Sequence, residues 1–374
     1  MRVSREVARP VMRIAFYAPM KPPDHPVPSG DRSIARLFLR ALARAGHEPF
    51  LAARLRSYDG QGDPQRQARL AALGERLAQR FCQRHRDNPP DLWFTYHLYH
   101  KAPDWIGPAV AARFAIPYVV AEASSATRQA AGPWALGHRA VAAALARAGA
   151  VIGINPADRA GVLPLLADPA RWIAFGPFLD ASLYQAPRRR AGPGPLRLIT
   201  VAMMREGAKL ASYRLLGAAL RRVRDLPWSL DIVGDGPARA AVAAALAGLG
   251  DRLRWHGQLD ARALARRLAA ADLFVWPAID EAFGMALLEA QASGLPAVAG
   301  DSGGVGAIVA PGVTGLLVPP GEAGAFAAAV RRLIADPALC ARFGRAAQRQ
   351  VRRAHDLPVA ARRLAALFAV LTDR

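Results

Sequence analysis

Short apolar runs that alternate with longer segments of helical period, in two successive series, constrain this chain more than any other feature. In the first half, strands are expected near Arg13–Tyr17, Glu48–Leu51, Leu92–Thr95, Tyr118–Ala121, Ala150–Ile154 and Trp172–Phe175. A second series falls near Leu196–Ala202, Ser229–Val233, Arg252–His256, Leu273–Trp276, Ala297–Ala299 and Leu316–Val318. Strands separated by helices of this length read as parallel α/β units. The expected fold class is therefore α/β, with two doubly wound, Rossmann-like domains facing a cleft. The Pro, Gly and Arg content of 186–195 suits an exposed connection. Expected boundaries are an N-terminal extension 1–10, an N-terminal domain 11–187, a linker 188–195, a C-terminal domain 196–355 and a closing helix 356–374 packing back on the N-terminal domain.

Fifty basic against twenty-nine acidic residues give a formal charge of +21, which raises nucleic acid as a partner. The excess is shared between the halves and forms no basic arm, so nucleic acid is not the expected partner. Hydrophobic residues at 52% and charged ones at 21% mark a globular chain, not a disordered one. Cys82 and Cys340 have no metal-binding or disulfide spacing, which fits a reducing cytoplasm. No apolar run is long enough to predict a membrane span, and the basic N-terminus lacks the apolar core of a signal peptide.

Two facing α/β domains place strand ends and helix N-termini around one cleft, which suits a phosphate-bearing ligand. In WPAIDEAFGMALLEAQASGLPAVAGDSGG, residues 276–304, a strand ends at Pro277 and a helix is expected from about Gly284 through Glu289. Glu281 in the loop and Glu289 on the helix can both face a ligand on that helix N-terminus. Carboxylates suit sugar or ribose hydroxyls, and the amides of Phe283, Gly284, Met285 and Ala286 suit phosphate. Taken alone, the pair reads as a helix-start charge and a solvated helix residue.

The pair is not alone. EAFGMALLEAQASGLP, then GDSGG and GVTGLLVPPGE, resembles the family-four retaining glycosyltransferases of GT-B fold, the glycosyl transferases group 1. The resemblance extends from MRIAFYAP at 12–19 and AGHEP at 45–49 to the final helices and is most specific over 272–322. It implies sugar transfer from a nucleotide-sugar donor to an acceptor hydroxyl, with Glu281 on the donor sugar and Glu289 on the ribose. In VAMMREGAKLASY the family's Gly-Arg is replaced by Ala202-Met203, so the diphosphate role passes to Lys209 and, second, to Arg205. Lysine is scarce here, at positions 21, 101 and 209 only. In IVGDGPARA, Arg239 occupies the third small position of a dinucleotide fingerprint, so Gly234 and Gly236 are expected instead to line the donor site. No D-x-D and no metal-spaced cluster occurs, so no cofactor or metal is expected.

On the acceptor side the family often has Gly-Gly in the loop after the first strand; only Gly30 remains, beside Asp31. Asp31 reads as a helix N-cap or as a ligand contact. Many relatives carry a histidine in the loop that here reads AEASSA, so either Glu122 or His97 is the expected polar group at the reaction centre. The expected acceptor is a sugar, a lipid-linked or another small hydroxyl compound, as in envelope polysaccharide or glycolipid synthesis. Alternatives are a GT-B sugar-nucleotide epimerase and a non-catalytic sugar-nucleotide-binding protein. Arg32, Arg36, Arg40 and Arg44, with Arg69, Arg76, Arg80 and Arg84, form basic stripes that read as solvated faces or as peripheral contacts with an anionic membrane.

Overall fold

A computed structural model of the chain describes residues 10–27, 29–184 and 194–372. Of the expected terminal extension 1–10 and linker 188–195, only residues 10, 194 and 195 are among them. The chain divides into two compact units, one of residues 1–176 with 357–374 and the other of residues 177–356.

The first unit runs β1 (Arg13–Tyr17), α1 (Gly30–Arg44), β2 (Glu48–Leu51), α2 (Pro64–Arg84), β3 (Leu92–Leu98), α3 (Gly107–Phe114), β4 (Tyr118–Ala123), α4 (Ala135–Arg147), β5 (Ala150–Gly153), α5 (Arg159–Val162) and β6 (Trp172–Ala174). All pairings are parallel, in the order β2-β1-β3-β4-β5-β6. β3 and β4 are nearly continuous apolar runs because helices cover both faces of the sheet. α1 buries Ala35, Phe38, Ala41 and Leu42 on one face. Its N-cap is Ser29, whose side chain accepts from the Arg32 amide, so the expectation of Asp31 as the cap is corrected. The helix starts at Gly30, and Asp31 stands in its first turn.

The second unit runs β7 (Leu196–Val201), α6 (Ala208–Arg221), β8 (Trp228–Val233), α7 (Arg239–Ala245), β9 (Leu253–Gly257), α8 (Ala261–Ala270), β10 (Leu273–Trp276), α9 (Met285–Ala292), β11 (Ala297–Gly300), β12 (Gly315–Val318), α10 (Ala323–Ala335) and α11 (Pro337–Gln350). This sheet is also all parallel, ordered β12-β11-β10-β7-β8-β9. The last helix, α12 (Leu357–Thr372), belongs to the first unit, where Arg363 donates to the carbonyls of Ala174 and Phe175.

The division falls at 176/177, earlier than the expected 187/188. Leu179, Ala181 and Tyr184 bury into the second core, and Leu179 donates its amide to the His355 carbonyl. Those apolar anchors decide which core owns the segment.

Two glycines tie the β7–α6 and β8–α7 loops together. A Cβ on Gly234 (φ +134) would stand 1.9 Å from the Ala202 carbonyl oxygen, and one on Gly236 (φ +153) would stand 2.3 Å from that of Met204. The amides of Met204 and Ala238 complete the seam by donating to the Asp235 and Met204 carbonyls. Gly234→Ala is therefore expected to cost about 2–3 kcal/mol, read as a lower urea midpoint of unfolding. Gly324→Ala, on α10 with only the Arg222 guanidinium 3.4 Å away, should be neutral or mildly stabilising in the same assay.

Candidate active site

In the second unit the chain order reverses across the sheet between β7 and β10, and ligand sites of open α/β sheets lie at such switch points. The loops leaving these two strands bring together Lys209, in the first turn of α6, and Glu281, between β10 and α9. Lys209 Nζ donates to Glu281 Oε2 at 2.5 Å, and Trp276 Nε1 donates to the same oxygen at 2.9 Å. The ammonium also lies 5.4 Å from the centre of the Trp276 ring. Trp276 is buried and set edge-on against Tyr213, whose hydroxyl bonds the Ala202 carbonyl. A cation in the first turn of a helix opposes the helix dipole, so Lys209 gains nothing from α6 itself. Its partner is across the loop.

The Glu281 loop is held in an uncommon backbone. Ala278 (φ 54), Asp280 (φ 49) and Gly284 (φ 70) are all left-handed. Ser212 of α6 accepts from the Ile279 amide, and the Gly304 amide donates to the carbonyls of Glu281 and Ala282. A Cβ on Gly303 would stand 2.0 Å from the Glu281 carbonyl oxygen, so the GDSGG run is the backing on which this loop rests. Sequence reading recognised that run but gave it no such role.

Gly284 stands at the N-cap of α9 and Gly207 at that of α6, and neither start has a side-chain cap. Both helices therefore present free amides beside the Lys209–Glu281 pair, a setting that favours anions. Phe283 and Met285 flank the α9 start, both partly exposed. Gly234 and Gly236 serve the loop seam described above. Arg205 is exposed, and among the described residues its guanidinium has no hydrogen bond or ion pair.

Glu289 lies one helical turn into α9. Burial pushes its carboxyl up to about 7, against the Tyr184 hydroxyl, which favours the ionised form. Neither the Glu281 nor the Glu289 arrangement matches a plain helix-start charge or a solvated residue. Trp276, Ser212 and Tyr184 were not singled out as site residues. Only the position of Trp276 at the strand end, just before the motif, could have signalled one of them. His256 bonds Asp231 at 2.8 Å and has a structural partner.

In the first unit the switch point lies between β1 and β3. There His97 Nδ1 stands 2.9 Å from Asp31 Oδ1 and 3.9 Å from Glu122 Oε1, so three candidates read from separate loops form one cluster. Burial disfavours a charged imidazole, but the Glu122 and Asp31 carboxylates outweigh it and raise the His97 pKa. For Asp31, burial is outweighed by the hydrogen bond and charge of His97, and its pKa is lowered. Burial raises that of Glu122. Gly30 opens α1, and a Cβ there would meet nothing within 4 Å. Arg32 and Arg36 donate to the carbonyls of His25, Pro26 and Pro23, which ties the Pro-rich loop to α1.

Among the described residues no group of three or more His, Cys, Asp or Glu side chains could hold a metal ion. Nor is any described helix long and apolar enough to cross a membrane.

Residues 199–350 match the family described as glycosyl transferases group 1. The match lies within the second unit and covers the motifs on which the resemblance rests. A D-inositol 3-phosphate glycosyltransferase of Geodermatophilus obscurus is 33% identical over 186 residues, covering 45% of this chain and 41% of that protein. A Streptomyces avermitilis protein of the same name is 42% identical over 106 residues, covering 28% and 23%. The matched stretches thus span less than half the length of these relatives. Among solved structures, sucrose-phosphate synthase from Thermosynechococcus elongatus aligns with a TM-score of 0.72 at 22% identity, covering 97% of this chain and 99% of its own. Anabaena HepE in complex with UDP and glucose aligns at 0.68 and 18%, covering 96% and 99%. The fold is the two-domain α/β GT-B fold.

The raised Glu289 pKa carries a stability signature. A carboxyl whose folded pKa lies above its unfolded value binds more protons when folded, so stability falls as pH rises from about 4.5 to about 7. Glu289→Gln removes this loss. The variant is expected to exceed the wild type by about 1–3 kcal/mol at pH 8 and to match it near pH 4, measured by urea unfolding.

Proposed function

We propose that this chain transfers a sugar from a nucleotide-sugar to an acceptor hydroxyl, with the second unit holding the donor and the first unit's Asp31, His97 and Glu122 serving the acceptor side. The observation that carries the reading is the Lys209–Glu281–Trp276 contact at the β7/β10 switch point, beside two uncapped helix starts. A nucleoside diphosphate at this point offers Lys209 a more highly charged partner than Glu281. As the bond between sugar and diphosphate breaks, negative charge grows on the leaving oxygen, where the ammonium and the α6 and α9 amides stabilise it. Glu281, released from Lys209 but still held by Trp276, accepts hydrogen bonds from the donor sugar. Glu289, one turn along α9, takes the ribose hydroxyls.

No metal is invoked, since a fixed ammonium and helix amides meet the diphosphate charge. Retention at the anomeric carbon is part of the reading and rests on the resemblance alone. A small hydroxyl acceptor is in keeping with the names of the relatives. Two of the four arginines in the α1 stripe are engaged by the Pro-rich loop, so the proposal does not extend to a membrane.

Lys209→Ala is expected to lower turnover about 10²–10³-fold, as removal of one transition-state donor does elsewhere. Lys209→Arg should not restore it, because a planar fork replaces a compact ammonium. Glu281→Gln should harm sugar transfer and leave UDP affinity within about threefold, a change below ~1 kcal/mol. All variants should be assayed with a panel of nucleotide-sugars, with and without EDTA, and transfer should persist in EDTA. Full turnover in Lys209→Ala together with its loss in Arg205→Ala would assign the wrong cation.

A further inference from the structure

His97 and Glu122 occupy one rung of two neighbouring strands. The flanking pairs in the β3/β4 register are Tyr96 with Ala121 and Leu98 with Ala123. Both residues of the intervening rung are left-handed, His97 at φ 64 and Glu122 at φ 59. A non-glycine residue at positive φ inside a strand is costly, and two on one rung mean that the surrounding structure enforces the turn-out of both. The first turn of α1 brings Asp31 to His97 Nδ1 from the other side. Glu122 is 6% exposed, and its Oε2 has no hydrogen-bond partner. With Nδ1 donating to Asp31, the ring is left with one polar atom, Nε2. Among the described residues nothing bonds to it, and the His97 side chain is 19% exposed.

We propose that Asp31, Glu122 and His97 work as one unit, in which the two carboxylates hold His97 as an imidazolium whose free Nε2–H donates to a lone-pair oxygen of the acceptor. His97 is the residue that touches the ligand; Asp31 and Glu122 are positioning residues that set its tautomer, orientation and charge. The unit deepens the acceptor-side part of the function proposed above and rests on it.

The charges around His97 come from every element that meets it. Asp31 is on α1, Glu122 on β4, and Asp158 on the short helical turn Pro156–Asp158 that follows β5, its carboxyl pushed up to about 6 by burial. Tyr96 and Tyr99 are on β3 and the loop after it, the Tyr99 ring stacked 5.0 Å from that of His97. Lys21, after β1, acts on Asp31. Three carboxylates against one lysine leave the imidazole in a negative surrounding, in a chain whose overall charge is strongly positive.

The test is an NMR titration of the ring signals of ¹⁵N-histidine in the full chain, paired with pH profiles of kcat/KM. In the wild type, His97 is expected to titrate above the ordinary imidazole value of about 6.5. It should move down in Asp31→Asn and in Glu122→Gln. The alkaline limb of the kcat/KM profile should move with it in both variants, because only the charged ring donates strongly, while UDP affinity stays at the wild-type value. His97→Gln should lower kcat/KM at least tenfold and abolish the limb. A His97 that titrates at or below 6.5 in the wild type overturns the proposal without any variant having to fold. So does a limb that stays in place in all three variants. Absence of both UDP binding and sugar transfer in the wild type would instead remove the functional reading beneath it, and the ring titration would still decide whether the carboxylates charge His97.

Discussion

The contact between Lys209 and Glu281 is the constraint around which the second unit is arranged. In the proposed function this cation meets a diphosphate, so it has to be held ready without being neutralised for good. Trp276 donates to the same Glu281 oxygen as Lys209, so the carboxylate would keep one partner if the ammonium turned to another anion. The left-handed residues Ala278 and Asp280, the Ser212 hydroxyl under Ile279 and the glycine run 303–304 all fix the Glu281 loop against α6. Their cost in backbone strain is borne by the hydrophobic core packed around the sheet.

The same logic recurs in the first unit with the signs exchanged. There an imidazole is held by carboxylates at the β1/β3 switch point, as a carboxylate is held by an ammonium at the β7/β10 switch point of the other sheet. Both pairs join the first turn of the helix that follows the first strand of a sheet to the strand across the reversal or the loop that leaves it. Doubly wound topology supplies that proximity whatever the sequence, and the side chains decide what chemistry occupies it.

How much of this was legible from the sequence follows from the range of the signals. All twelve strands fall within a residue or a few of their expected places, because a buried parallel strand is a short apolar run and needs no tertiary information to be seen. The roles expected for Glu281, Glu289 and Lys209 came from the family that local motifs resemble, and the structure brings Glu281 and Lys209 into contact. What local pattern could not give was ownership and partnership. The segment 177–184 reads as the tail of the first domain, yet Leu179 and Tyr184 are buried in the second core. Asp31 is a good N-cap by type, but Ser29 was available two residues earlier, which freed the carboxylate for His97. The pairing of His97 with Glu122 depends on strand register and on two uncommon backbone angles, neither of which leaves a mark in composition or spacing.

The central claim is that the second unit binds a nucleoside diphosphate with its ribose on Glu289. Isothermal calorimetry of UDP binding at pH 7, in buffers of different ionisation enthalpy, counts the protons exchanged. A carboxyl whose pKa is raised by burial keeps part of its protons at this pH, and two ribose hydroxyls donating to it favour the ionised form. The account predicts that the wild type releases more protons per UDP than Glu289→Gln does. Equal proton release and equal affinity in the two proteins would contradict it.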